Sequence, residues 1–298
     1  MNFEELQPAM FAIAYRMLGS VADAEDAVQE TFLRLHRALA AGERIESPRA
    51  YAATVVTRLC IDQLRSARRR RETYVGNWLP EPVLDDADPA GQVELADSLS
   101  LAFLVLLESL SPEQRAAFLL RDIFDYPFDE IAMVIGKTPN TVRQLVVRAR
   151  RYVTAHRPRF EASPEAREAL ARGFFAAAAR GDLDALEELL AEDVVLHGDG
   201  GGLAPAPPRP LHGRARVAKA LVAWVHAINR SGGMEVLAAQ VNGQPGARVL
   251  DHAGRLIGVL AVDIAADRVQ AVHSVVNPAK LIHLGPVGDL EALLRERS

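Results

Sequence analysis

The chain has 298 residues, 49% of them hydrophobic, 24% charged and 6% aromatic, with a formal net charge of −5. That balance predicts about two soluble globular domains and excludes a disordered, fibrous or uniformly basic coat protein. A single cysteine, Cys60, excludes an intrachain disulfide and a multi-cysteine zinc site, so no metal and no cofactor are expected. Acids stand where a secretory leader needs bases, and the longest apolar run, Leu101 to Leu107, is too short to cross a bilayer. A cytoplasmic protein with no membrane contact is therefore expected.

In chain order, Phe3, Leu6, Met10, Ile13 and Met17 recur at helical spacing and end at Gly19. Asp23 to Leu39 reads as a second helix, with Ala27, Val28, Phe32, Leu33 and Leu35 apolar. Ser47-Pro48 starts a third, which runs into Arg68-Arg69-Arg70-Arg71. Residues 74–98 lose all periodicity among Gly76, Pro80, Pro82, Pro89 and Gly91, as a linker does. Helices return from Leu99. Ser111-Pro112 opens one over Glu113–Phe124, Phe128 to Ile135 is short and ends at Gly136, and Thr138-Pro139 starts one reaching His156.

The last half changes character. Helices over Pro164–Ala179, Leu183–Leu190 and Ala215–Ile228 precede β-like runs at Val236–Val241, Ala247–Asp251, Leu256–Ile264 and Val269–Val276. Asn242-Gly243 and His252-Ala253-Gly254 are the dividing turns. The pattern predicts an α+β domain with a curved antiparallel sheet behind three helices.

Charge is segregated along this order. Net charge is +2 over residues 1–71, −7 over 72–100, where no base occurs, +3 over 101–160 and −3 over the remainder. Residues 112–156 form a helix-turn-helix pattern, whose last helix would enter the major groove. Its first turns offer Asn140, Thr141, Arg143, Gln144 and Arg148 to base edges. Lys137, Arg150 and Arg151 suit phosphates. Arg58, Arg65, Arg68 and Arg69 fall mostly on one side of the third helix, as DNA contacts or as cations at its negative end. The acids of the second helix cannot touch DNA and suit a protein partner.

The run Asp23-Ala-Glu-Asp-Ala-Val-Gln-Glu-Thr-Phe-Leu-Arg-Leu resembles the region-two signature of bacterial sigma factors of the extracytoplasmic-function group. Ser47-Pro-Arg-Ala-Tyr with Arg58, Asp62 and Arg65 resembles the next segment. Ser111-Pro-Glu-Gln-Arg and Thr138-Pro-Asn-Thr-Val-Arg-Gln resemble region four. The resemblance implies that Asp23, Glu25, Asp26, Gln29, Glu30 and Arg34 bind core RNA polymerase through its β and β′ subunits. It implies that Arg58, Asp62, Arg65, Arg68 and Arg69 meet the −10 promoter element. Lys137, Asn140, Thr141, Arg143, Gln144 and Arg148 would meet the −35 element. Leu59 stands where the family usually has Asn.

Three further stretches narrow the subgroup. Trp78-Leu79-Pro80-Glu81-Pro82, Asp199-Gly200-Gly201-Gly202 and Asn277-Pro278-Ala279-Lys280-Leu281 resemble three motifs of the sigma-J-like group, which carries a SnoaL-like domain of the NTF2-like fold. The family usually has Lys at position 203, here Leu, and Asp at 279, here Ala. The resemblance implies a multidomain fold: residues 1–73 as sigma region 2, 74–98 as an acidic linker suited to a positive polymerase channel, 99–157 as sigma region 4, and 163–298 as an α+β cone. The cone would regulate the chain through the linker. SnoaL-like cones also include enzymes, for which His197, Asp199, Asp251, His252, Asp263 and His273 are the candidate acid–base groups. Turn and core roles suit them better, and no catalytic residue is expected. Three functions follow in order: a polymerase sigma factor with a built-in regulator, an enzyme or small-molecule sensor fused to DNA-binding helices, and a plain helix-turn-helix repressor.

Overall fold

Serines at helix starts set much of the architecture. Ser20 Oγ accepts from the Asp23 amide, Ser47 from Ala50, Ser111 from Gln114 and Ser163 from Ala166. Each satisfies a donor that a helix N-terminus leaves orphaned. At Ser111 the box is complete, because the Gln114 side chain accepts from the Ser111 amide. The computed structural model describes residues 5–71, 74–84, 98–156, 163–230 and 232–295, with the backbone alone for 67–71. It divides into residues 1–73 with 104–157, and residues 74–103 with 158–298.

The first unit is helical: α1 (Gln7–Leu18), α2 (Val21–Ala40), α3 (Pro48–Arg71), the end of α4 (Leu101–Leu107), α5 (Pro112–Phe118), α6 (Phe128–Ile135) and α7 (Pro139–His156). Met10, Ile13, Met17, Val28, Leu35, Val56 and Cys60 are buried among α1, α2 and α3. Phe118, Leu119, Ile131, Val142, Val146 and Val153 are buried among α5, α6 and α7. Burying one such large apolar side chain stabilises by about 1.5–3 kcal/mol. The single helix expected over Glu113–Phe124 is instead broken, because Leu119–Ile123 widen into a π-helical turn. The Phe124 amide reaches back five residues to Leu119 O at 3.1 Å, and Asp125 follows at φ 52°. That turn aims the chain into α6.

Arg115 holds the first unit together. The residue is 2% exposed, and its side chain donates to Met17 O at 2.6 Å, Leu107 O at 3.0 Å and Glu108 Oε1 at 2.6 Å. It thus ties the end of α1 to the α4–α5 connection. Burial pushes its pKa down to about 9.

The second unit contains α8 (Pro164–Arg180), α9 (Leu183–Leu189), β1 (Leu190–Asp199), β2 (Leu211–His212), α10 (Arg214–Arg230), β3 (Met234–Val241), β4 (Gln244–Asp251), β5 (Leu256–Ala265), β6 (Arg268–Val275) and α11 (Leu290–Arg295). The sheet order is β2-β1-β6-β5-β4-β3. It is not wholly antiparallel, as the sequence suggested, because β1 runs parallel to β6. The helices cover one face. Phe174, Leu186, Val217, Leu221 and Ile228 pack there with Val194, Leu196, Val249, Leu260, Val262 and Val272. Among the described residues no helix is long and apolar enough to cross a membrane.

Candidate functional site

On α7, Asn140, Thr141, Arg143, Gln144 and Arg148 are all exposed, as is Lys137 in the preceding turn. Val142, Val146 and Ala149 are buried on the opposite side. This helix therefore presents its polar side chains outward while its apolar ones fix its orientation. Thr138 Oγ1 accepts from the Thr141 amide at 3.3 Å and starts the helix. Arg143 lies over the Phe128 ring, 5.2 Å from its centroid. Arg150, read from sequence as a phosphate contact, is instead bonded to both Asp122 oxygens at 2.5 and 2.7 Å.

The arginines of α3 have a different fate. Arg58 donates to Met133 O at 2.7 Å and Val134 O at 2.9 Å. Those carbonyls belong to the last turn of α6, where a helix leaves acceptors orphaned and its dipole is negative. Arg65 bonds Glu113 at 2.6 Å and Asp62 at 3.2 Å. Both arginines, like Asp62 beside them, stand in a contact between α3 and the helix-turn-helix. The side chains of Arg68 and Arg69 lie outside the described residues.

On α2, Glu25, Asp26, Gln29 and Arg34 are exposed, and Asp23 and Glu30 are half-buried. Arg34 bonds Glu30 at 2.7 Å. Leu33, expected with the apolar core, is 52% exposed on the face of Glu25, Asp26, Gln29 and Glu30. The i, i+4, i+8 spacing of Glu25, Gln29 and Leu33 carries that signal.

The linker is anchored on the second unit by the three short stretches together. Asp199, with no exposed surface, accepts from Tyr74 Oη at 2.5 Å on Oδ1, and from the Leu79 amide and Lys280 Nζ, each at 2.7 Å, on Oδ2. Lys280 Nζ also donates to Leu79 O and sits 4.4 Å from the Trp78 ring centroid. Asn277 Nδ2 donates to Tyr74 Oη at 2.9 Å, and its Oδ1 accepts from the Ala279 amide, starting the turn that contains Pro278. Leu281 is fully buried behind it. Burial and the neighbouring Asp199 carboxylate push the Tyr74 phenol pKa up, so it remains a donor.

Glycine is required at 201, where φ is 58° and a Cβ would stand 2.1 Å from Asn277 Nδ2. At Gly200 it would stand 2.0 Å from Ala204 O. Leu203 is 55% exposed and Gly202 faces Val75. Leu79, Pro80 and Pro82 are buried, and Glu81 is half-buried. The sequence reading missed Tyr74, His283, whose Nε2 lies 2.8 Å from Pro82 O, and Asn242. The acidic residues Asp85, Asp86, Asp88, Glu94 and Asp97, on which the channel argument rests, lie outside the described residues.

The acid–base candidates do not converge in the helix-covered core. Asp251 closes its own turn, accepting from the amides of Ala253 and Arg255 and from Arg255 Nε. His197, Asp263 and His273 alternate with core residues and so face the other side of the sheet. His273 Nε2 lies 2.8 Å from Asp263 Oδ2, and the His197 ring stacks on His273 at 5.2 Å. Burial, and next the His273 charge, push the His197 pKa down to about 4.

Three family models match successive parts of the chain. The family model for Sigma-70 region 2 matches residues 3–70, that for Sigma-70, region 4 matches 100–153, and that for a SnoaL-like domain matches 171–272. The chain is 40% identical to the ECF RNA polymerase sigma factor SigJ of Mycobacterium tuberculosis, over 94% of this chain and 92% of that one. It is 37% identical to the probable ECF RNA polymerase sigma factor SigI of the same species, over 90% of each. The crystal structure of M. tuberculosis SigJ superposes with a TM-score of 0.75 at 37% identity, covering 94% of this chain and 97% of that one.

Proposed function

The chain belongs to the extracytoplasmic-function sigma factors, which direct RNA polymerase to promoters, and we propose that its SnoaL-like domain controls when the two sigma regions can part. The observation that carries this reading is the buried Asp199 carboxylate, which holds Tyr74 and Leu79 of the linker together with Lys280. A buried carboxylate with three charge-assisted partners is a strong attachment. The linker joins region 2 to region 4, so whatever holds the linker restricts their separation.

In this reading α2 offers Glu25, Asp26, Gln29, Arg34 and Leu33 to core polymerase in the cytoplasm, through its β and β′ subunits. α7 offers Asn140, Thr141, Arg143, Gln144 and Arg148 to the −35 element, with Lys137 on the backbone. Arg58 and Arg65 serve the −10 element only after leaving Met133, Val134 and Glu113, because one guanidinium cannot fill both roles. The observed arrangement is thus the resting one, and polymerase selects an opened one.

Run-off transcription with core polymerase tests the reading. Full-length protein should give a promoter-dependent transcript, and deleting residues 163–298 should change its yield. No transcript from either form overturns the function, and equal yields on every promoter overturn the control.

A further inference from the structure

The β3–β4 hairpin turns through Asn242 and Gly243, both with positive φ, at 53° and 69°. Such a two-residue turn accounts for an Asn-Gly pair by itself. It does not account for where this asparagine sits. Hairpin tips are ordinarily wet, yet Asn242 is fully buried. Its Oδ1 accepts from the Val83 amide at 2.9 Å, and its own amide donates to Val83 O at 2.8 Å. Its Nδ2 donates to Leu99 O at 3.0 Å. Leu84 adds an antiparallel bridge to Val241.

Val83 and Leu99 flank the acidic part of the linker. Two bonds to opposite ends of one amide bring Val83 N and Leu99 O within roughly 8 Å of each other. The sixteen peptide units between them could span upward of roughly 50 Å if extended. One side chain therefore withholds most of the linker's reach. The Asp199 anchor, whose partners Tyr74 and Leu79 both lie before the acidic run, fixes the start of the linker and leaves the span from Val83 to Leu99 to Asn242.

We propose that Asn242 is a latch that holds Val83 and Leu99, on either side of the acidic run, close together, and that opening it gives region 4 the reach to leave region 2. The proposal rests on the reading above, in which separation precedes promoter binding. Oδ1 holds Val83 and Nδ2 holds Leu99, so loss of either bond lets the two flanks separate.

The test uses the full chain with two substitutions. Asn242→Gly keeps a turn-compatible residue and removes both side-chain bonds. Asn242→Asp keeps the acceptor for Val83 and replaces the donor to Leu99 with an oxygen. Amide hydrogen exchange should rise at least tenfold at Val83 in Asn242→Gly, while the Leu79 amide, bonded to Asp199, stays protected. Transcription with core polymerase should rise at least threefold in both variants.

Unchanged exchange at Val83 in Asn242→Gly overturns the latch, and so does a transcript yield that stays level or falls. Wild-type yield from Asn242→Asp overturns the two-ended closure. If the glycine variant loses protection throughout β5 and β6 it has misfolded, and the aspartate variant then decides. Absence of any transcript from the wild type overturns the sigma-factor reading instead, and the exchange result still decides whether Asn242 holds Val83.

Discussion

The two basic helices of the sigma half, α3 and α7, carry similar charge to opposite ends. The polar side chains of α7 proposed to meet the promoter are exposed, with Val142, Val146 and Ala149 beneath them. Arg58 and Arg65 of α3 are spent on the last carbonyls of α6 and on Glu113. A row of arginines on a helix reports positive charge, but its availability depends on what the chain packs opposite it. Here the polar face of α7 is open, while Arg58 and Arg65 of α3 are engaged within the protein.

Substitutions can break that comparison, and the largest effect is expected at Arg115. Arg115→Met leaves Glu108 and the Met17 and Leu107 carbonyls without their donor in a buried site. It should cost about 3–5 kcal/mol in chemical denaturation, with loss of the α1 to α5 packing. Asp199→Ala follows, because it strands Lys280, whose side chain is 9% exposed. Thermal unfolding of the second unit should fall by a comparable amount, and adding Lys280→Met should recover part of it.

Smaller effects sharpen the contrast between the helices. Arg143→Ala or Gln144→Ala should cost about 1–3 kcal/mol in holoenzyme binding to the preferred promoter, and little on a −35-scrambled one. Arg58→Ala should cost about 1–3 kcal/mol of stability, because it removes two hydrogen bonds from a charged donor, one of them exposed. Measured alone on duplex −35 DNA, it should leave α7 binding intact.

The smallest effect is at the exposed Arg65–Glu113 pair. Burial alone would raise the Glu113 pKa, but the Arg65 hydrogen bond, a backbone hydrogen bond at Glu113 and the Arg65 and Lys137 charges together outweigh it and hold the group below its usual value. A depressed carboxylate contributes stability above its unfolded pKa and loses it as pH falls through the lower folded value. Glu113→Gln should therefore remove well under 1 kcal/mol at pH 7, and the difference from wild type should shrink in acid unfolding as the pH falls through the depressed Glu113 pKa.

Much of this was legible from residue order. Serine caps at 20, 47, 111 and 163 and apolar spacing locate the helices, and Gly136 separates α6 from α7. Three things were not. β1 was hidden because Leu183–Leu190 reads as a helix and passes into Ala191–Asp199 with no glycine or proline between them. The π-helical turn at Leu119–Ile123 is a backbone register change that side-chain periodicity does not record. The linker's attachments were hidden for a third reason. Asp199 ends β1 just before a run of glycines and Asn242 sits in a hairpin turn, so either residue type is already explained by local backbone needs. Their partners lie 120 and 159 residues away.

The resting contact between α3 and the helix-turn-helix is tested most directly by one distance. Labels placed at Glu43→Cys and Thr154→Cys, both exposed, report the separation of region 2 from the end of α7, with the buried Cys60 left unlabelled. Energy transfer should show a single short separation in the free protein and a longer one with core polymerase and promoter. The same short separation in a complex that is making transcript would contradict the account.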